Sequence, residues 1–433
     1  MTALDVLIVG AGAAGLAAGV ALRQAGRSTL ILEAANQPGG RARTSRPGLL
    51  GGAWLDEGAA WLHMAEENPL VPLAEARGFA LHEAFRAESR LTIGGRPATA
   101  AEQAEYEAAS AEWHSIVMDA PDLPDTDLAT AIGAFRHENT WAPTIEAWEA
   151  SLIEAVDAPL LSLADFRLNQ LEGSNLIAEA GLGRLLLDLL AADAGPIRLS
   201  CPAQRILWGD GAVRVETPDG TLTAGAVIVT VSTGVLNAGR IAFDPPLPAD
   251  TTEAIAALPM GLLSKIVLRA KGADRLGLGR QTHLFRKRES LAAPFLSTIA
   301  WPRGEDHVIG FVGGQAAWEL AADPRAAADL MRAEWCAMLG ADAARIFTDG
   351  AFTTSWGTDP HHLGAYSYAR PGSTKPGAAT ARARLAQPLA GGRLVFAGEA
   401  CRGDGSAGTV GGAVLDGRRA AAVVLGRKDR NDH

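Results

Sequence analysis

Residues 5–33 limit the fold of this chain more than any other stretch. Asp5-Val6-Leu7-Ile8-Val9-Gly10 is a short apolar, β-branched run of the kind that forms a buried parallel strand. It opens directly into Gly10-Ala11-Gly12-Ala13-Ala14-Gly15, and an Ala/Leu-rich helical segment comes next and closes near Gly26. A second apolar run, Ser28–Leu32, ends in Glu33. Strand, glycine turn, helix, strand and acid in this order and spacing predict a Rossmann-like dinucleotide-binding unit. Gly10 permits the tight turn, Gly12 lets the backbone approach a pyrophosphate, and Gly15 lets helix and strand pack closely. Ala14 lies in the first helical turn, whose unpaired N–H groups and positive dipole end face the phosphates. Glu33 can accept hydrogen bonds from a ribose hydroxyl pair, which argues against a 2′-phosphate and hence against NADP.

Composition narrows the class further. A chain of 433 residues suits two or three lobes, and 48% apolar with 20% charged residues describes a globular protein with a large core. The net charge is −10 and no Lys/Arg run exists, so phosphate backbones and anionic lipid are poor partners and cationic small molecules better ones. The three cysteines (Cys201, Cys336, Cys401) form no CxxC pair, which excludes a disulfide scaffold, a thioredoxin-like motif and a paired-cysteine zinc site. No basic leader precedes the first apolar run, and no stretch of about 18–20 apolar residues is uninterrupted. The expectation is a cytoplasmic enzyme that neither spans a membrane nor binds nucleic acid.

The residues after Glu33 select the dinucleotide. Pro38-Gly39-Gly40-Arg41-Ala42-Arg43-Thr44 places two glycines before two arginines at i and i+2, fork-shaped donors that suit diphosphate oxygens. Their alternative reading is a pair of solvated surface arginines. Asp56-Glu57-Gly58-Ala59-Ala60-Trp61 comes next. The pattern E-x5-GGR-x-R-T resembles the flavin-containing amine oxidase family, and the likeness returns three times in family order. Ala203–Leu236 reads as a strand, a Pro-Asp-Gly turn, a strand and an apolar strand. It is similar to the family segment whose backbone meets the adenine, here Gln204, Arg205 and Ile206. Ile241–Pro248 matches the proline-rich exit from that segment. Ala397-Gly398-Glu399 and Thr409-Val410-Gly411-Gly412-Ala413 resemble the closing FAD motif. There the acid binds the ribityl chain or pyrophosphate and a helix N-terminus faces the flavin pyrimidine oxygen.

The resemblance implies an α/β fold with a discontinuous FAD-binding domain of the Rossmann type (1–72, 192–250 and 371–433). It also implies an α+β substrate-binding domain, with a mixed sheet flanked by helices, from 73–191 and 251–370. No coiled-coil insertion or DNA-binding module of the chromatin-demethylase kind interrupts it. The cofactor is expected to be non-covalent FAD, because Ala365 stands where monoamine oxidases carry the linking cysteine; Cys401 is an outside candidate.

Only five lysines occur, and the first is Lys265 in the strand-like run Gly261–Arg269. Alternation puts Leu263, Lys265 and Val267 on one face. A lysine there must be paired, hydrated or functional, since burying a bare ammonium costs several kcal/mol. An edge-strand lysine pointing to solvent is the alternative. The family's lysine at this motif reaches a water on flavin N5, which by resemblance gives Lys265 a part in flavin reoxidation. Ser355–Tyr368 (SWGTDPHHLGAYSY) matches the family's W-x3-P…G-x-Y-S block, with Trp356 in the cofactor shell and Tyr366 as one wall of an aromatic cage for the amine. The second cage aromatic of monoamine oxidases would coincide with Thr409. His63, in Gly58-Ala59-Ala60-Trp61-Leu62-His63 with Asn68-Pro69-Leu70 downstream, resembles the polyamine-oxidase motif whose histidine borders the substrate channel. A capping or core histidine is the other reading. A polyamine pocket would also need carboxylates; Glu83, Glu172 and Glu179 are available, and no spacing singles out a pair.

These readings converge on an FAD-dependent oxidation of a polyamine or monoamine to an imine, then an aldehyde or ketone. O2 giving H2O2, or another electron acceptor, takes the electrons, and a homodimer is compatible. An L-amino-acid oxidase or flavin desaturase on the same scaffold is the rival enzyme, and a flavin-binding protein without turnover the non-enzymatic one.

Overall fold

The computed structural model describes residues 4–84, 88–121, 125–373 and 379–427. The N-terminal apolar run forms β1 (Leu4–Val9), the glycine turn leads into α1 (Ala13–Gln24), and β2 is Thr29–Leu32. β1 is parallel to β2 on one side and to Gly220–Val229 on the other, with Leu7 opposite Leu30 and Val227. Being buried on both faces, it needs the unbroken apolar run that the sequence shows. The hairpin Val213–Thr217/Gly220–Val229 differs from the expected two separate strands after the turn. Its second arm is one continuous ten-residue strand, pairing first with its hairpin partner and then with Leu394–Phe396. Ile197–Arg198, Arg205–Leu207 and Ala242–Asp244 complete an eight-stranded sheet.

Gly10 has φ +106°, a left-handed conformation that L side chains avoid. Gly15 is fixed by space: a Cβ there would lie 1.9 Å from the Gly10 carbonyl oxygen. Gly15→Val should therefore part helix from turn, giving a lower melting temperature and protein purified without flavin absorbance; full flavin loading would contradict this account of the turn.

A second, seven-stranded sheet runs Phe347–Thr353, Leu263–Ala270, His307–Gly313, Leu296–Ala300, Thr282–Arg286, Glu88–Ile93, Arg96–Pro97. Lys265 lies opposite Phe311, and Phe311 opposite Ser297, so these three project from one face in register. Facing the sheet is a wide π-helical segment, α2 (Ala147–Ile153), and the short helix α3 (Leu163–Leu168) contributes to the same apolar core. Helix Leu182–Leu190 packs instead into the core beneath the first sheet, with Leu16, Leu22 and Ile31. The closing helix, α4 (Val410–Leu425), crosses against α1. Among the described residues, no helix is long and apolar enough to cross a membrane, and no group of three or more His, Cys, Asp or Glu could hold a metal ion.

Candidate active site

A cavity of about 600 Å³ runs from the glycine turn to the face of the second sheet that carries Lys265. At the turn end it is lined by Gly10, Gly12 and Ala14, by Glu33, and by Gly40, Arg41, Gly58 and Ala59. The N-terminus of α1 begins at Gly12 without a side-chain cap, and a Cβ at Gly12 would meet nothing within 4 Å. Free N–H groups thus open toward the cavity, the arrangement that favours phosphate. Glu33 is fixed by backbone donors, Ala11 N at 2.7 Å and Ala35 N at 2.8 Å. Gln204, Trp356, Gly398, Glu399, Thr409 and Val410 line the same cavity.

Four residues singled out in the sequence do not line it. Gly15 is packed behind the turn. Ile206 is buried in the core of the first sheet, and the side chain of Arg205 is half exposed, 3.9 Å from Asp244. Gln204, which precedes the strand, is the member of that trio at the cavity. Arg43 donates from Nε to Glu57 at 2.8 Å and lies over the Trp356 ring at 4.6 Å. Trp356 in turn donates from Nε1 to the Glu57 carbonyl at 3.0 Å. Arg43 therefore braces the wall, while Arg41 reaches the cavity itself.

Lys265 is 4% exposed, in a strand paired on both sides, which removes the edge-strand reading. Its Nζ donates to the carbonyls of Asp56 at 2.6 Å and Gly58 at 2.7 Å, and lies 5.8 Å from the Trp61 ring and 5.7 Å from Phe311. Burial pushes its pKa down to about 8, against the pull of the Asp56 and Glu57 carboxylates. Its ammonium therefore loses its proton nearer neutral pH than a free lysine does, and it stands at the wall of the cavity.

Tyr366 donates its hydroxyl to the Ile153 carbonyl at 2.7 Å, so its ring is held by the C-terminal end of α2. Burial raises its pKa, with Glu154 and Glu399 adding to the effect, and the phenol stays neutral. Gly408 leaves room beside the ring: a Cβ there would be 3.6 Å from Tyr366 Cδ2. Thr409 caps α4, accepting from Gly412 N at 2.9 Å and donating to Ser406 O at 2.8 Å, so this position serves the helix and adds no second aromatic wall. His63 borders the cavity, and its Nδ1 meets Asn175 Oδ1 at 2.7 Å. Burial lowers its pKa and keeps the ring neutral, with Nε2 left as an acceptor.

The three acids named in the sequence, Glu83, Glu172 and Glu179, are all exposed. A further acid of the cavity, beside the second sheet, is Glu154, which sequence reasoning missed. It ends α2 and is followed by Ala155 at φ +58°, a strained turn that fixes its direction. Its carboxyl makes no hydrogen bond among the described residues. Part of its surface opens to the cavity while protein shields it from bulk water. Burial, then the neighbouring Asp165 charge, raises its pKa to about 8. Trp148, Leu152 and Ile153 of α2, with Leu263, Ile299, Phe311 and the Ser297–His283 pair of the sheet, make the surrounding walls. A π-helical turn is frequently a functional feature, but no local sequence signal marks one here.

This architecture is shared. The flavin-containing amine oxidoreductase profile matches residues 13–425. Polyamine oxidase 4 of Oryza sativa subsp. japonica is 29% identical, over 96% of this chain and 88% of its own length. Lysine-specific histone demethylase 1 homolog 1 of the same rice is 30% identical over 97% of this chain, which spans about half (52%) of that relative. Among solved structures, a putrescine oxidase double mutant superposes with a TM-score of 0.80 at 21% identity, covering 98% of this chain and 99% of that one. Wild-type putrescine oxidase bound to putrescine gives a TM-score of 0.77 at 20% identity, with the same coverage. With the profile spanning nearly every residue and the two-sheet fold beneath it, the chain belongs to the flavin-containing amine oxidoreductase family.

Proposed function

We propose that this protein is an FAD-dependent amine oxidase for di- or polyamines: it converts a CH–NH group to an imine, which water takes to the carbonyl product, and passes the electrons to O2 to give H2O2. The observation that carries this reading is Glu154, a carboxyl without a hydrogen-bond partner among the described residues, in a wall it shares with Trp148, Leu152, Ile153 and Tyr366. Such a group suits a second ammonium of the substrate, whose arrival would favour the ionised carboxylate. The names of the rice polyamine oxidase and of putrescine oxidase support the same choice.

The residues fit FAD. The uncapped start of α1 and the Arg41 guanidinium suit the diphosphate, Glu33 suits the ribose hydroxyls, and the backbone around Gln204 suits the adenine. Bound FAD supplies the two-electron redox chemistry. The chain's own residues do the rest. Tyr366 offers its ring face to the amine, Trp61 and Phe311 keep the chamber apolar and favour the neutral, reactive amine, and Lys265 holds a mobile proton and a positive charge. His63 stays neutral at the rim as a hydrogen-bond acceptor. Attachment of FAD is non-covalent on this reading: Ala365 has no nucleophile, and burial raises the Cys401 thiol well above its ordinary value. The free state of all three cysteines accords with a reducing, cytoplasmic compartment.

The chamber argues against an amino-acid oxidase. Its acid offers no positive partner to a substrate carboxylate, and the guanidinium of Arg382 is committed to Asp165 at 2.8 Å from both Nε and Nη2. An anaerobic screen of monoamines, diamines, polyamines and amino acids tests the proposal. Bleaching of the flavin should be fastest with di- or polyamines, and fastest bleaching by amino acids would reject it.

A further inference from the structure

We propose that Arg382 is a positioning residue for Arg41: acting through Ser367 and Glu399, it fixes the guanidinium at the cofactor end of the cavity. The inference rests on the reading above that Arg41 meets the diphosphate. Arg382, Asp165, Ser367 and Glu399 are 2%, 7%, 5% and 5% exposed, so these hydrogen bonds form out of water. Arg382 grips Asp165 of α3 with two parallel bonds, leaving Nη1 to donate to Ser367 Oγ at 2.9 Å. A serine hydroxyl has one proton. With its lone pair taken by Arg382, Ser367 gives that proton to Glu399 Oε2 at 2.7 Å. Glu399 also accepts from Ser367 N at 3.1 Å, Gly408 N at 3.2 Å and Arg41 Nη1 at 2.8 Å. Its four lone-pair positions are thus all engaged by protein. The acid serves as a hub that aims Arg41, which donates also to the Ala365 carbonyl at 2.9 Å, one residue before Tyr366.

The charges agree with the geometry. Burial pushes the Glu399 carboxyl up, but Arg41, Arg382 and the Ser367 hydroxyl outweigh it and hold the group below its ordinary value. The chain of contacts joins α3, which packs with the substrate side, to the short strand Tyr366–Ser367 and to the arginine after the Gly39-Gly40 pair. Lysine at 382 could keep the positive charge and meet only one of the two partners, since it lacks the planar fork.

FAD affinity, measured by titrating apoprotein with FAD and following flavin fluorescence, tests this without turnover. Arg41→Met and Arg382→Met should each weaken FAD by about tenfold, and the double variant should be little worse than Arg41→Met alone, because both changes remove one interaction. Arg382→Lys should recover part of the loss, and Ser367→Ala, which cuts the link and leaves both ion pairs, should weaken FAD about threefold or more. If Arg41→Met binds FAD normally, the diphosphate reading fails. If Arg41→Met weakens FAD while Arg382→Met and Ser367→Ala do not, or if the losses add fully in the double variant, the positioning role fails. Should Arg382→Met not fold, Ser367→Ala decides alone.

Discussion

Lys265→Met should slow the reaction of reduced enzyme with O2 by about 10²-fold or more, the usual scale of a lost proton-transfer group, while FAD content changes little. Methionine keeps the length and apolar stem of lysine, so the strand and its neighbours Trp61 and Phe311 retain their packing. The change removes the ammonium hydrogen-bonded to the Asp56 and Gly58 carbonyls at the cavity wall. Two services go with it: a positive charge near the negative charge that develops as O2 is reduced, and a proton available near neutral pH. The sign of the pH effect comes from the depressed pKa of about 8. Below it the ammonium carries its charge, and above it the group is neutral, so the O2 rate constant should fall as pH rises through about 8. In Lys265→Met that fall should vanish. Stopped-flow mixing of anaerobically reduced protein with O2 measures both, and an unchanged rate with an unchanged pH profile would remove Lys265 from the reaction.

Legibility in the sequence has a physical pattern. The Gly10–Gly15 turn, Glu33, and the strand–lysine motif around Lys265 are legible because each is a local event: backbone torsion, helix entry, or alternation along one strand. Glu154 is hidden because its role depends on the wide turns of α2 and the bend at Ala155, which no residue spacing announces. Glu83, Glu172 and Glu179 are similar acids in the same part of the chain, yet they face solvent. Arg382 and Asp165 are hidden by distance, being 217 residues apart along the chain. The helix Leu182–Leu190 lies in the stretch assigned to the substrate-binding domain, yet it packs beneath the first sheet, a choice of partner that residue pattern along one helix does not specify. In sequence Thr409 looks like a gap in an aromatic cage; in the structure its hydroxyl is occupied in capping α4.

Glu154→Gln should lower kcat/KM for a diamine by about 10²–10³-fold, the scale for removing one partner of a desolvated charge pair. A monoamine of matching length, with no second ammonium, should lose less than about threefold. Glutamine preserves shape and polarity, so the π-helical segment and the Tyr366–Ile153 hydrogen bond should survive the change. The pH dependence separates this role from general damage. In the free protein the Glu154 carboxyl has a pKa of about 8, raised first by burial and then by Asp165, so it is largely protonated at about pH 6 to 7. A cationic substrate must bind the ionised form, so capture releases a proton. The diamine-to-monoamine ratio of kcat/KM should therefore rise with pH up to about 8 and then level off, as more of the free protein carries the charge. Taking the ratio cancels deprotonation of the reacting amine, which both substrates share, and the distal ammonium stays charged across this range. Glu154→Gln should flatten the ratio at a low value. A ratio that keeps its slope in the variant would place the cation's partner elsewhere in the chamber; a flat ratio in the unmodified protein would mean that no titrating acid recognises the substrate.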